Sequence, residues 1–254
     1  MDIKIPYTPR KHQAFLHNEI SKHRWSVLVC HRRFGKTVCM INHLIRSALL
    51  SKNKNPRYAY ISPTFKQSKS IAWDYMKQFT AKIPYTKFNE TELRVDLPNG
   101  ARITLLGSEN SDGLRGIYLD GCVIDEYANV HSKLFPEIIR PALSDRKGYC
   151  VFIGTPQGMN NNFYELYQHA QGADDWFNYI AKASDTQIVD PEELVKAKEV
   201  MGDKKYQQEF ECDWIANIEG AIYNDALAKM EDNKQLTRVP YDPSLPVSTA
   251  WDLG

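Results

Sequence analysis

Six short apolar runs rich in β-branched and aromatic residues punctuate the chain: 25–30 (WSVLVC), 57–62 (RYAYIS), 102–106 (RITLL), 121–125 (GCVID), 149–153 (YCVFI) and 176–182 (WFNYIAK). Runs of this length, bounded by polar residues, predict strands. Longer stretches with helical spacing of apolar positions predict helices over 9–20, 36–50, 65–79, 133–143, 160–169, 190–201 and 203–212. Alternation at this spacing predicts an α/β fold, a central mostly parallel sheet flanked by helices. Pro-Asn-Gly in VDLPNGARI (95–103) lies between two extended pieces and predicts a β-hairpin inserted in that alternation. Three prolines in VPYDPSLP (239–246) predict an extended linker, after which VSTAWDLG (247–254) begins a new strand.

The strand run 25–30 leads directly into HRRFGKT (31–37) and a helix. Strand, tight loop and helix around Gly-Lys-Thr are the setting of a phosphate-binding P-loop. Loop amides at a helix N-terminus point at phosphates, and Gly35 lets the main chain approach closely. Lys36 supplies a point charge for the β and γ phosphates, and the Thr37 hydroxyl is a Mg²⁺ ligand. The pattern GxxxxGK(S/T) fails only at its first position, which is Cys30. Arg32, Arg33 and Phe34, within the loop, are candidate ATP contacts; the two arginines add cations suited to stabilising charge during phosphoryl transfer, or to pairing outward.

CVIDEY (122–127) is an apolar strand ending in two carboxylates, the first of them 89 positions after Lys36. Partnered with a P-loop, Asp125 is expected in the Mg²⁺ shell and Glu126 as general base for water. Adjacent acids within a strand face opposite ways, so Glu126 must turn back at the strand tip. Three satellites suit the same site. Tyr7 and Gln13 precede the P-loop strand and are candidates to stack on adenine and hydrogen-bond to it. The strand 149–153 ends in GTPQG (154–158), placing small polar groups beside a γ-phosphate. Arg115 in LRG (114–116) precedes the acidic strand and is a candidate arginine finger toward a neighbouring subunit.

Charge sharpens this reading. The formal net charge is only +1, yet residues 1–100 carry 18 Lys/Arg against 6 Asp/Glu, while residues 101–254 carry 14 against 25. A net of +12 in the first hundred residues predicts a surface facing a polyanion. Composition excludes other classes. With 254 residues, 43% of them hydrophobic, the chain can bury a sizeable core. No window reaches 18 uncharged apolar residues, so no membrane helix is expected, and the start MDIKIPYTPRKHQ lacks a signal-peptide core. Five cysteines (30, 39, 122, 150 and 212), without a CxxC pair, argue against a zinc site or a disulfide framework and suit a reducing cytosol.

Together these residues resemble the large terminase subunit of tailed bacteriophages, the motor that packages DNA into procapsids. The resemblance rests on HRRFGKT, AYISPT (59–64), LRG followed by VIDE, FIGTPQG, and YQQEFECDW…EGAIY (206–223), and covers about residues 5–254. That family commonly lacks the first P-loop glycine and carries an arginine four positions before the lysine, as Arg32 does here. The resemblance implies a RecA-like P-loop NTPase of the additional-strand, catalytic-glutamate (ASCE) class. It implies ATP and Mg²⁺ at Arg32, Lys36, Thr37 and Asp125, catalysis at Glu126, and coupling of hydrolysis to movement at Gly154, Thr155 and Pro156. The implied partners are double-stranded DNA, a portal protein, a small terminase subunit and further copies in a ring on the portal, with a monomer in isolation. The implied location is the host cytoplasm, at the procapsid.

The implied domains are an ATPase over 1–238, with a helical lid region from about 190, and a linker plus first strand of an RNase H-like nuclease over 239–254. Asp252 looks like the first nuclease carboxylate; two-metal cleavage needs several, so no nuclease activity is expected of this chain, which reads as the ATPase portion of a longer protein. Three rivals remain open. A superfamily 2 helicase shares the P-loop, the acidic pair and the upstream glutamine but needs a second RecA-like domain. A GTPase-like switch needs NKxD, and NKNP (53–56) and NKQL (233–236) lack its Asp. A plain DNA-binding module would not need Glu126.

Overall fold

The computed structural model of the chain describes residues 4–109 and 114–215, with four isolated positions beyond (230, 233, 235 and 244). In chain order the elements begin α1 (Lys11–Ile20), β1 (Trp25–Cys30), α2 (Lys36–Leu50), β2 (Arg57–Ser62) and α3 (Phe65–Gln67). A wide-turned stretch with π-helical bonding, Ser68–Trp73, carries α3 into α4 (Asp74–Thr80). Next come β3 (Lys87–Asn89), β4 (Arg94–Asp96), β5 (Arg102–Gly107) and β6 (Gly121–Ile124). A second π-helical stretch, Leu134–Ile139, leads into α5 (Arg140–Ala142). The remainder is β7 (Tyr149–Gly154), α6 (Asn162–Gln171), β8 (Trp176–Ala181), α7 (Ala183–Thr186), α8 (Pro191–Met201) and α9 (Asp203–Phe210).

One sheet of eight strands runs β3-β4-β5-β2-β6-β7-β1-β8. The six strands from β5 to β8 pair in parallel, and β4 and β3 extend one edge antiparallel. Successive residues of a strand face opposite sides, so each central strand feeds two cores. On one face Leu28, Tyr60, Val123 and Val151 pack with α1, α2 and α4. On the other, Val29, Ile61, Ile124 and Phe152 pack with the 134–143 segment and α6. The four central strands β2, β6, β7 and β1 are buried on both faces and so read as continuous apolar runs, whereas β5 alternates and β8 is half-buried, legible from their β-branched and aromatic residues.

The hairpin forms as the Pro-Asn-Gly signal requires: Asp96 pairs with Arg102, the Leu97 amide bonds to the Ala101 carbonyl at 2.8 Å, and Gly100 takes φ +81. The structure departs from expectation elsewhere. β3 was not foreseen, because three largely exposed edge residues carry no periodic signal. Helices expected as single runs over 65–79 and 133–143 each contain a π-helical stretch. In the first, buried Ser68 turns its hydroxyl to the Leu106 carbonyl at 2.8 Å. The last helix stops at Phe210, two residues short.

All five cysteines are free and buried, Cys122 and Cys150 lying 3.4 Å apart, sulfur to sulfur, on neighbouring strands. Among the described residues no helix is long and apolar enough to cross a membrane. The chain divides into two compact units, Met1–Asn217 and Ile218–Gly254. The linker 239–246 except position 244, the strand 247–254, Asp252, most of the lid region from 216 to 238 and the end of the 206–223 motif lie outside the described residues.

Candidate active site

All the parallel strands present their C-terminal tips on one edge, the usual place for a ligand in an open α/β sheet. The P-loop follows β1 and the acidic pair follows β6, with β7 inserted between them. That inserted strand brings Gly154–Pro156 to the same edge.

The loop is held open by backbone conformations that side chains disfavour. Arg33 has φ +71 and Gly35, the residue before α2, has φ +87. A Cβ on Gly35 would also meet the Gln13 amide nitrogen at 3.0 Å, so glycine is required twice over. Gln13 is buried on α1; its Nε2 donates to the Gly35 carbonyl at 3.3 Å and its Oε1 accepts from the Arg10 amide at 3.0 Å. His31, at the start of the loop, is fully buried. Its Nδ1 lies 2.6 Å from the Arg32 carbonyl and its Nε2 2.8 Å from the Thr186 hydroxyl, so Nδ1–H donates and Nε2 accepts. Burial holds the imidazole below its usual pKa, which keeps it neutral in this role.

Lys36, the first residue of α2, reaches across the sheet edge. Its Nζ lies 3.7 Å from Glu126 Oε1. β6 ends at Ile124, one residue before the expected boundary, so the two acids are freed from strand alternation. Glu126 then takes φ +47, ψ +50, which turns its carboxylate back toward Lys36. Left-handed backbone at a non-glycine residue costs about 1–2 kcal/mol, and here Arg33 and Glu126 both pay it around one site. Asp125 is buried; its Oδ1 accepts from the Glu126 amide at 2.9 Å and its Oδ2 accepts a short bond from the Tyr60 hydroxyl. Burial pushes both carboxyls above the usual carboxylate range. For Glu126 the charge of Asp125 adds to that push, while Lys36 pulls both back.

The structure brings some of the sequence-derived candidates together and sets others apart. Lys36, Thr37, Asp125 and Glu126 form one cluster, bordered by Gln13 and Gly35. Arg32 is largely exposed and turned to α9, its Nη1 3.9 Å from Glu209 Oε2 and its amide 2.7 Å from the Glu209 carbonyl. Arg33 is exposed, and the Phe34 ring is fully buried, edge-on to His31. Tyr7 is half-buried, its hydroxyl 3.0 Å from His17 Nε2 and its ring edge-on to Phe79, which ties it to α1 and α4. Thr155 is buried, and the Pro156 carbonyl accepts from Gln208 Nε2 at 2.5 Å. Arg115 lies apart from the cluster, on the loop before β6, with Nη2 4.0 Å from Glu137. Sequence reasoning missed Tyr60, His31, Gln208 and Glu209. Tyr60 reads as one more core residue of β2, and no local pattern ties α9 to a loop some 175 positions earlier.

A profile of the family described as terminase large subunit, T4likevirus-type, N-terminal, matches residues 29–230. The chain belongs to this terminase family. A 60-residue segment is 40% identical to the large terminase subunit of Thermus phage G20c, and equally to that of Thermus virus P23-45; it spans 24% of this chain but only 12% of either relative. Among solved structures, the large terminase ATPase domain of Thermus phage P74-26 superposes with TM-score 0.69 at 21% identity, over 83% of this chain and 95% of that one. The large terminase of a second thermophilic bacteriophage gives 0.70 at 16% identity, over 82% of this chain and 54% of that one. That second terminase has also been solved with ADP and with ATP-gamma-S. Identities this low establish the fold, a P-loop NTPase with a strand inserted between the P-loop strand and the acidic strand. Terminase membership displaces the helicase-like alternative.

Proposed function

We propose that this chain is the ATP-hydrolysing motor portion of a viral DNA-packaging terminase, coupling ATP hydrolysis to movement of double-stranded DNA into a procapsid. The observation that carries the reading is the approach of Lys36 Nζ to Glu126 Oε1, 3.7 Å across an inserted strand. It joins a phosphate-binding cation to a carboxylate of raised pKa, and a general base works best when its pKa lies nearer the working pH. Lys36 follows the β and γ phosphates, which leaves Glu126 facing the attacking water. Arg32 acts in cis, next to the phosphates. Gln13 and Tyr7 border the base-binding side, and Gly154, Thr155 and Pro156 carry the signal of hydrolysis away.

The donor set suits Mg²⁺. Asp125 and Thr37 offer hard oxygens, with no thiol or imidazole among them, and Mg²⁺ is held by few protein ligands plus substrate phosphates. The ion would neutralise charge on the transferred group; Asp125 and Thr37 orient it. The basic balance of residues 1–100 supports a duplex partner held through phosphates. A portal, a small subunit and a ring of copies at the procapsid, in the host cytoplasm, complete the reading.

Arg115 acts in trans, on a neighbour's nucleotide, from its exposed loop before β6. Mixing Arg115→Ala with Glu126→Gln chains, each inactive alone, tests this. Partial recovery of DNA-stimulated ATP turnover is expected, because some interfaces pair an intact Arg115 with an intact Glu126. Mixed assemblies that form without recovery would remove the trans role. A trans arginine contributes about 10³–10⁵ in rate in other NTPases.

A further inference from the structure

Helix α9 touches the nucleotide site twice and at two different elements. Glu209 meets the P-loop through Arg32, by its carbonyl at 2.7 Å and its carboxylate at 3.9 Å. One residue earlier, buried Gln208 donates to the carbonyl of Pro156 at 2.5 Å, just past the tip of β7. Lys205, one turn back, lies 3.3 Å from the other oxygen of Glu209 and so competes with Arg32 for it. Four residues after α9, Trp214 is packed among Phe163, Tyr164 and Tyr167 of α6, the helix that follows Gly154–Pro156. The helix is therefore fastened to the loop expected to meet the phosphates and to the segment expected to report hydrolysis.

Arg32 cannot serve a carboxylate and a phosphate with one guanidinium at full strength, since both ask for the same planar donor face. Resting on the ATPase reading above, we propose that Glu209 is a positioning residue of that site: it parks Arg32 against α9 until a nucleotide's phosphates outcompete it, and the release is passed through Gln208 to Pro156. Glu209 touches no substrate in this scheme. It sets the cost of drawing Arg32 inward and ties that movement to the helix leading to the C-terminal part of the chain.

The test is a double-mutant cycle on the full chain, with ATPγS–Mg²⁺ as the probe and Kd and Trp fluorescence as readouts. Glu209→Gln should tighten Kd about two- to fivefold, the range of a largely solvated ion pair. The same change in an Arg32→Gln background should have no effect, because the competitor is already gone. Lys205→Met should move the other way, weakening binding, since it leaves Glu209 to Arg32 alone. A Trp214→Phe control assigns the nucleotide-induced fluorescence change to Trp214, four residues past α9, and Glu209→Gln should shrink that change. Equal tightening with and without Arg32 would mean that Glu209 merely repels phosphate, and the proposal falls. Unchanged Kd with a lowered Tm would make it a packing residue, and the proposal falls again. If the wild-type chain itself binds no ATPγS, the ATPase reading fails first; if it binds and the cycle is flat, only the role of Glu209 is lost.

Discussion

Replacing Glu126 by Gln should separate binding, cleavage and stability. The perturbation keeps shape and removes one charge. At 3.7 Å and an effective dielectric constant of about 20, the Lys36–Glu126 attraction is about 4–5 kcal/mol gross, and exposure of a third of the Glu126 side chain reduces it further. Against it stand burial of the carboxylate, the charge of Asp125 and that of Glu209. The opposing terms win, since the pKa is raised. A carboxyl whose folded pKa exceeds its unfolded value contributes stability when protonated and loses it as pH rises through the folded value, so the ionised form is a net burden at neutral pH. A neutral isostere should therefore raise Tm, each kcal/mol gained appearing as about 2–4 °C in a chain of this size. The left-handed backbone at residue 126 suits Gln no worse than Glu. Nucleotide affinity should persist, because Lys36 and the loop amides are intact. Turnover should fall by about 10²–10⁴ for loss of a general base. Calorimetry, fluorescent-nucleotide binding and single-turnover hydrolysis measure the three quantities. Cleavage per bound ATP at the wild-type rate would place the base elsewhere, and a lowered Tm would overturn the electrostatic argument.

Other outcomes follow from the same geometry. Lys36→Ala should abolish ATP hydrolysis and weaken nucleotide binding, checked by turnover and equilibrium binding; normal turnover would remove the P-loop assignment. Duplex binding should be weak, indifferent to sequence and steeply salt-dependent, with log K falling linearly in log salt, read by fluorescence anisotropy; a sequence preference that survives high salt would contradict it. His17 and His43 stack with Nδ1 atoms 3.2 Å apart, and burial lowers their pKa values to about 4 and about 3. Histidines with depressed folded pKa contribute stability above the unfolded value of about 6.5 and lose it as pH falls toward 4. Between pH 7 and 4.5 His17 alone should account for about 2–3 kcal/mol, read from urea midpoints, and His43→Gln should flatten the slope.

Much of this protein was legible in one dimension because its four central strands are buried on both faces and its phosphate loop is contiguous. Six apolar runs gave six parallel strands, HRRFGKT gave the loop, and Pro-Asn-Gly gave the hairpin, each from interactions within a few residues. The acidic pair was legible as a pair, but its working direction was not. Alternation would have split Asp125 from Glu126, and only the end of β6 at Ile124 with the left-handed turn at 126 aims Glu126 at Lys36. Strand order is likewise a tertiary matter: the insertion of β7 between β1 and β6 sets the distance between loop and acids, and no local pattern encodes it. Tyr60 on Asp125, Gln13 on Gly35, Gln208 on Pro156 and Glu209 on Arg32 link positions from about 20 to about 175 residues apart. Such bonds form only after the sheet has brought its strand tips to one edge. The sequence therefore determined which chemical groups exist and which elements carry them; packing decided which groups meet, at what distance and with what charge.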